Sequence, residues 1–193
     1  YKRQTRLRGL SDIISISTGL SHTIAVRADG TVWAWGKNDK GQLGNGTSNN
    51  TSRPIQVAGL SGITAVATGY YHSLALKDDG TVWAWGGNKD GQLGDGTETD
   101  RNRPVQMRSM TNAIEIVGMS NASVVLRADG KIWRCGLDWG KYRIYSSPGG
   151  SPPPRNPYDK SVIRLSGISG VRKIDASNSH LLMLKCDGTL WGW

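Results

Sequence analysis

The chain has 193 residues, 26 of them glycine and none phenylalanine, and its 24 basic and 15 acidic side chains give a net charge of +9. That length allows one domain or two small ones, and no apolar run approaches the roughly 18–20 residues of a membrane-spanning helix. Cys135 and Cys186 are too few for a disulfide scaffold or a metal site; a bridge between the two stays open, because nothing in the sequence fixes their geometry.

The first eight residues form a basic arm, with Lys2, Arg3, Arg6 and Arg8 and no acid. Residues 9–100 hold 6 basic and 9 acidic side chains, whereas 127–173 hold 10 and 3. The basic excess therefore belongs to the arm and to one later stretch. It reads as a solvated face or as an attractor for a polyanion.

From residue 29 onward one phrase recurs. Asp-Gly-Thr-Val-Trp-Ala-Trp-Gly stands at 29–36 and again at 79–86, Asp-Gly-Lys-Ile-Trp-Arg-Cys-Gly at 129–136, and Asp-Gly-Thr-Leu-Trp-Gly-Trp at 187–193. The Asp-Gly pairs lie 50, 50 and 58 residues apart, a spacing that signals a repeat architecture. The units run 9–58, 59–108, 109–166 and, in part, 167–193. In the second unit, 63–67 and 72–77 are rich in strand formers, and Asp79-Gly80 joins the latter to 81–85 through a tight turn that needs positive φ. A polar loop, 87–97, leads to a fourth short strand at 104–107, with Pro104 at its start where no ladder donor is needed.

Four short strands per unit predict one propeller blade each. No 3.6-residue apolar period persists, which removes helical solenoids. The expected architecture is all-β: propeller blades of four short antiparallel strands, about three and a half of them in an incomplete ring. Such an arc is either an excerpt of a longer propeller, or its open ends are covered by another copy or another protein. The third unit has drifted: Met119 stands at the Gly19/Gly69 position, Ala122 at the His22/His72 position, and an insertion fills 137–158. Buried irregular backbone would strand polar groups, so the insertion is expected at the surface.

The string Gly-x-x-His-(Ser/Thr)-(Leu/Ile)-Ala-(Leu/Val), followed by Asp-Gly-Thr-Val-Trp-Ala-Trp-Gly-x-Asn-x-x-Gly-Gln-Leu-Gly-x-Gly, stands at 19–46 and 69–96. It resembles the regulator of chromosome condensation repeat family. The resemblance implies a ring of seven four-stranded blades. The family's namesake is a nucleotide exchange factor for a small nuclear GTPase, and no segment here matches the loop constellation of that activity. The Trp-Ala-Trp-Gly phrasing is closest in flavour to bacterial members that bind proteins through aromatic-rich loops, which leans the expected location to the exterior or surface of a bacterium.

His22, His72 and His180 recur at one position, each in a different blade and without a carboxylate at fixed spacing. A scaffold role, such as a hydrogen bond to the next blade, is expected over a metal or general base. Trp33 and Trp35, and Trp83 and Trp85, are two residues apart and share a sheet face, as packing between blades requires. The pair after the Gly19/Gly69 position varies from unit to unit: Leu20-Ser21, Tyr70-Tyr71, Ser120-Asn121 and Asn178-Ser179. Variable side chains between fixed flanks let one scaffold present Leu20, Tyr70, Tyr71, Asn121 and Asn178 on one rim, and tyrosine is enriched at binding hot spots. Trp139, Tyr142 and Tyr145 interleave with Lys141 and Arg143, a pattern for stacking single-stranded nucleic acid or for packing on a protein.

The sequence thus predicts a non-enzymatic scaffold without cofactor or metal, engaging an unidentified protein partner through rim loops. The alternatives are a structural module completed by homo-oligomerisation or by a longer parent chain, and polyanion binding through the arm and the third-unit insertion.

Overall fold

The structure is a computed structural model that describes Leu7 and residues 9–137 and 162–192. The arm candidates Lys2, Arg3, Arg6 and Arg8 and the insertion candidates Trp139, Lys141, Tyr142, Arg143 and Tyr145 lie outside the described residues. The described residues form fifteen strands. These are β1 Ile13–Thr18, β2 His22–Arg27, β3 Val32–Gly36 and β4 Thr51–Gln56, then β5 Ile63–Thr68, β6 His72–Lys77, β7 Val82–Gly86 and β8 Arg101–Gln106. They continue with β9 Ala113–Gly118, β10 Ala122–Arg127, β11 Ile132–Gly136 and β12 Ile163–Arg164, and end with β13 Val171–Ala176, β14 Leu181–Lys185 and β15 Leu190–Gly192. Each group is an antiparallel meander in chain order, giving three four-stranded sheets and one three-stranded sheet. The first strands, β1, β5, β9 and β13, pack side by side along one axis, so the sheets fan out from it as propeller blades.

The local chemistry explains the hairpin between the second and third strands. Gly30, at φ +77°, donates its N–H to Arg27 O (2.9 Å), and Arg27 N–H donates to Thr31 O (3.0 Å). Only the glycine takes positive φ; the aspartate works through its side chain instead. Asp29 Oδ1 accepts from the Thr31 N–H (3.0 Å) and hydroxyl (2.6 Å), and Asp79 with Thr81 and Asp187 with Thr189 repeat the arrangement. The Thr81 hydroxyl, with Lys77 alongside, holds the Asp79 carboxyl down at about 2.

The outer strand begins earlier than the proline predicts. β8 starts at Arg101, and Pro104 sits within it, between the pairs Gly86↔Arg101 and Ala84↔Val105 where the register shifts. A proline is tolerated there because β8 is an edge strand whose outer side needs no donor. Pro54 repeats this in β4, and with Arg53 and Arg103 it blunts the outer edges against further pairing.

The core lies between blades rather than within them. Ile24, Val26, Val32 and Ala34 of the first sheet meet Val66, Ala75 and Trp85 of the second. Leu74, Leu76, Val82 and Ala84 meet Ala113, Ile116, Val125 and Cys135 of the third. Val124, Leu126 and Ile132 in turn meet Val171, Ile174 and Met183 of the fourth. Both faces of a middle blade are therefore covered, which is why β6 is buried almost throughout and alternates poorly in sequence. The outer faces of the first and fourth sheets lack this cover among the described residues. Ile16 is 68% exposed where its counterpart Val66 is 7%, and Leu190 is 67% exposed where Ile132 is 0%.

Candidate functional site

One feature repeats at two blade junctions, and it involves two of the predicted histidines, His22 and His72. His22 Nε2 lies 3.0 Å from Ser73 Oγ of the next sheet, and Ser73 Oγ donates to Gln42 O at 2.8 Å. One junction later His72 Nε2 lies 3.0 Å from Ser123 Oγ, which donates to Gln92 O at 2.7 Å. Because each hydroxyl gives its proton to a carbonyl, each imidazole must carry its proton on Nε2 and donate. Burial keeps both rings neutral, pushing His22 down to about 4 and His72, which also faces His22, to about 3. A His–Ser contact is also the geometry of an activated nucleophile. Here the proton runs from imidazole to serine rather than the reverse, and both serines are 0% exposed.

His180 departs from this pattern. It is exposed on the fourth sheet and its Nδ1 meets Ser177 Oγ at 3.0 Å, since no described sheet lies beyond β14 to supply the cross-blade hydroxyl.

The tryptophans also divide. Trp85 is 0% exposed and donates Nε1–H to Gln42 O (2.9 Å), whereas Trp33, Trp35 and Trp83 are half-buried. Cys135 replaces Trp85 in the third sheet and keeps the bond, Sγ to Gln92 O at 3.2 Å, while Val162 moves in beside it. Burial pushes its thiol up to about 12. Both cysteines are free, Cys135 buried and Cys186 exposed on a different sheet.

Two buried residues escaped the sequence reading, Asn38 and Asn88. Asn88 Oδ1 accepts from Leu93 N–H (2.9 Å), and its Nδ2 donates to Asp95 Oδ1 (3.1 Å), Thr97 O (3.0 Å) and Thr99 O (3.1 Å). Asn38 organises the 37–50 loop in the same way through Leu43, Asn45, Thr47 and Asn49. The available signal was the fixed Gly-x-Asn or Lys-Asn spacing before each Gly-Gln-Leu-Gly.

These loops and the β1–β2 type corners share one face of the arc, and the five variable candidates gather there. Leu20, Tyr70 and Asn178 line a cavity of about 290 Å³ near the axis, with Met119 and the glycines of the corners. Tyr71 and Asn121 line a neighbouring cavity of about 280 Å³, with Lys37, Lys40, Lys89 and Asp100. The Tyr70 and Tyr71 rings meet edge to face, centroids 6.3 Å apart, between the two.

Backbone bonds explain why these positions can vary. Ser21, Tyr71 and Asn121 each use only their carbonyl to fix the next loop, accepting from Lys37, Gly87 and Leu137 N–H at 2.7–2.9 Å. The geometry is thereby independent of the side chain.

Comparison with known proteins fits this repeat. The model of the regulator of chromosome condensation (RCC1) repeat matches residues 29–76 and 79–125, and a second RCC1 repeat model matches 13–42 and 63–92. The chain belongs to the RCC1 repeat family. It is 44% identical to the human E3 ubiquitin-protein ligase HERC2 over 59 residues, 30% of this chain and 1% of that protein. Human WBSCR16 superposes with a TM-score of 0.81 at 22% identity, over 99% of this chain and 50% of that one. Saccharomyces cerevisiae Prp20p follows at 0.77 and 22%, over 97% of this chain and 47% of that one. At that identity the two structures show the RCC1-type propeller fold, and this chain spans about half the length of either.

Proposed function

We propose that this chain is a non-enzymatic protein-interaction scaffold whose partner docks on the face bearing Leu20, Tyr70, Tyr71, Asn121 and Asn178. The observation that carries the reading is their convergence: five positions that vary between units line two adjoining cavities on one face. Rigid corners present these side chains at low entropic cost. Among the solved relatives, Prp20p has been crystallised bound to Kap60 and studied for binding to Gsp1p and histones, so protein recognition is represented on this fold.

Alanine substitution of each rim residue, against a partner captured on the immobilised chain, tests the reading. Tyr70→Ala and Tyr71→Ala should each weaken binding about tenfold or more, roughly 1.4 kcal/mol, with unfolding midpoints within experimental error of the parent. Unchanged affinity across all five positions rejects it.

The exposed Ile16, Leu182 and Leu190 support a second reading, a structural module completed by further blades from a longer chain or another copy. Burying each such side chain is worth about 1.5–3 kcal/mol. Sedimentation of the isolated chain should then show concentration-dependent self-association that Ile16→Lys abolishes; a monomer at all concentrations removes the homo-oligomeric version.

A further inference from the structure

The corners around the axis are tied to one another by backbone bonds, with one step left open. Tyr70 N–H donates to Ser120 O (3.0 Å), and Ser120 N–H donates to Asn178 O (3.2 Å). The equivalent step would join Leu20 N–H to Tyr70 C=O. Among the described residues neither group has a hydrogen-bond partner. The cavity of about 290 Å³ lies at this gap and no charged residue lines it. Its apolar lining residues are Leu20, which is 55% exposed, half-buried Tyr70 and Met119, which is 2% exposed, and Thr18, Thr68, Asn178 and the corner glycines complete the lining.

We propose that this cavity is a peptide subsite that receives one uncharged, apolar residue of a protein partner. The side chain of that residue packs on Leu20 and Tyr70. Its C=O accepts from Leu20 N–H, and its N–H donates to Tyr70 C=O. The proposal rests on the reading of this face as a protein-binding surface and names the chemistry that one part of it recognises.

Three observations select this occupant. One donor and one acceptor at a single gap match the one donor and one acceptor that each residue's main chain carries. Covering them with a pure hydrocarbon would leave both unsatisfied, at a cost that a peptide avoids. The lining holds no cation for a phosphate and no carboxylate for an ammonium group, so charged occupants gain nothing there. The neighbouring cavity, with its lysines and aspartates, differs in this respect and suits polar contacts at the rim of the same interface.

The test uses capped amino acids as probes on the isotope-labelled chain, followed by amide chemical shifts. N-acetyl-leucine N-methylamide should produce saturable shifts at Leu20, Tyr70, Met119 and Asn178. Its analogue methylated on the leucine nitrogen lacks the donor and should bind at least about fivefold more weakly, the order expected from losing one hydrogen bond. N-acetyl-lysine N-methylamide and inorganic phosphate should leave these amides unmoved. Leu20→Glu, at an exposed position, should abolish the response to the leucine probe. Absent or non-saturable shifts, or equal binding of the two leucine probes, overturns the subsite. If that happens while Tyr71→Ala and Asn121→Ala still weaken a captured partner, the interaction face stands and the subsite alone is lost. If the alanine variants also bind unchanged, both fall.

Discussion

Gly69→Ala is expected to destabilise the protein by about 3 kcal/mol or more, the range of an overpacked site that cannot relax. The reason is space, since Gly69 is not among the positive-φ glycines. A Cβ there would fall inside the van der Waals envelope of both His72 Cε1 and the Met119 carbonyl oxygen. The imidazole folds back over the glycine to reach Ser123 across the junction. The third blade shows how the conflict resolves: where Ala122 replaces the histidine, Met119 replaces the glycine, and both are buried in the junction with the fourth sheet. A double-mutant cycle follows from this pair. His72→Ala alone should cost about 1–3 kcal/mol by leaving Ser123 without its donor, and Gly69→Met alone should cost at least as much as Gly69→Ala. The double variant should lose less than the sum by about 1–2 kcal/mol, the size of coupling seen between touching residues. Denaturant unfolding of the four proteins reads this directly. Strict additivity would mean that the methionine does not occupy the space left by the ring.

The same junctions show how far a sequence carries. The period, the meander and the Asp-Gly hairpins are legible because each is local: strand, turn and strand lie within about ten residues. The junction chemistry is not local. His22 meets Ser73, and Trp85 meets the carbonyl of Gln42, so each partner is found only once the packing of one unit on the next is known. Compensations are harder still to read. Cys135 looks like loss of a tryptophan, yet it keeps the bond to Gln92 and shares the vacated space with Val162 from a distant part of the chain. Asn38 and Asn88 sit in polar loops, where asparagine is common, and only their burial marks them as hubs. Of the candidate site, the variable pairs are readable as a pattern. That they divide between a neutral cavity near the axis and a charged one beside it depends on which corners adjoin.

Function and fold divide along the same line. The residues that repeat are occupied with holding blades together through glycine close approaches, buried imidazoles and the Gln42 and Gln92 carbonyls. Of the residues that vary, Ser21, Tyr71 and Asn121 hold the adjoining loops through their carbonyls, whereas the buried Ser120 also uses its hydroxyl, which donates to Asn178 O at 2.6 Å.

Acidification should weaken the fold between pH 6.5 and about 3, and the two buried histidines set that window. An exposed imidazole titrates near 6.5, whereas in the folded chain His22 is held down to about 4 and His72 to about 3, chiefly because burial disfavours the charged ring. With folded values below unfolded ones, the unfolded chain binds protons that the folded chain refuses. Stability is complete above pH 6.5 and falls as the pH drops below it, levelling off only beneath the folded values. At pH 5 each histidine lies about 1.5 units below its unfolded value, which removes about 2 kcal/mol per ring and about 4 kcal/mol together. That is a large part of the 5–15 kcal/mol typical of a folded domain. The depressed aspartates, Asp29, Asp79 and Asp187 among them, act at a lower pH, because their contribution is lost only below the ordinary carboxylate value near 3.8. Guanidinium unfolding at pH 7.5, 6 and 5 measures the slope. Replacing His72 by alanine in the Gly69→Met background should halve the loss between pH 7.5 and 5, because only one buried ring then remains to refuse its proton. A parent protein equally stable at pH 7.5 and 5, or a variant with an undiminished slope, would show that the blade junctions are not where acid acts.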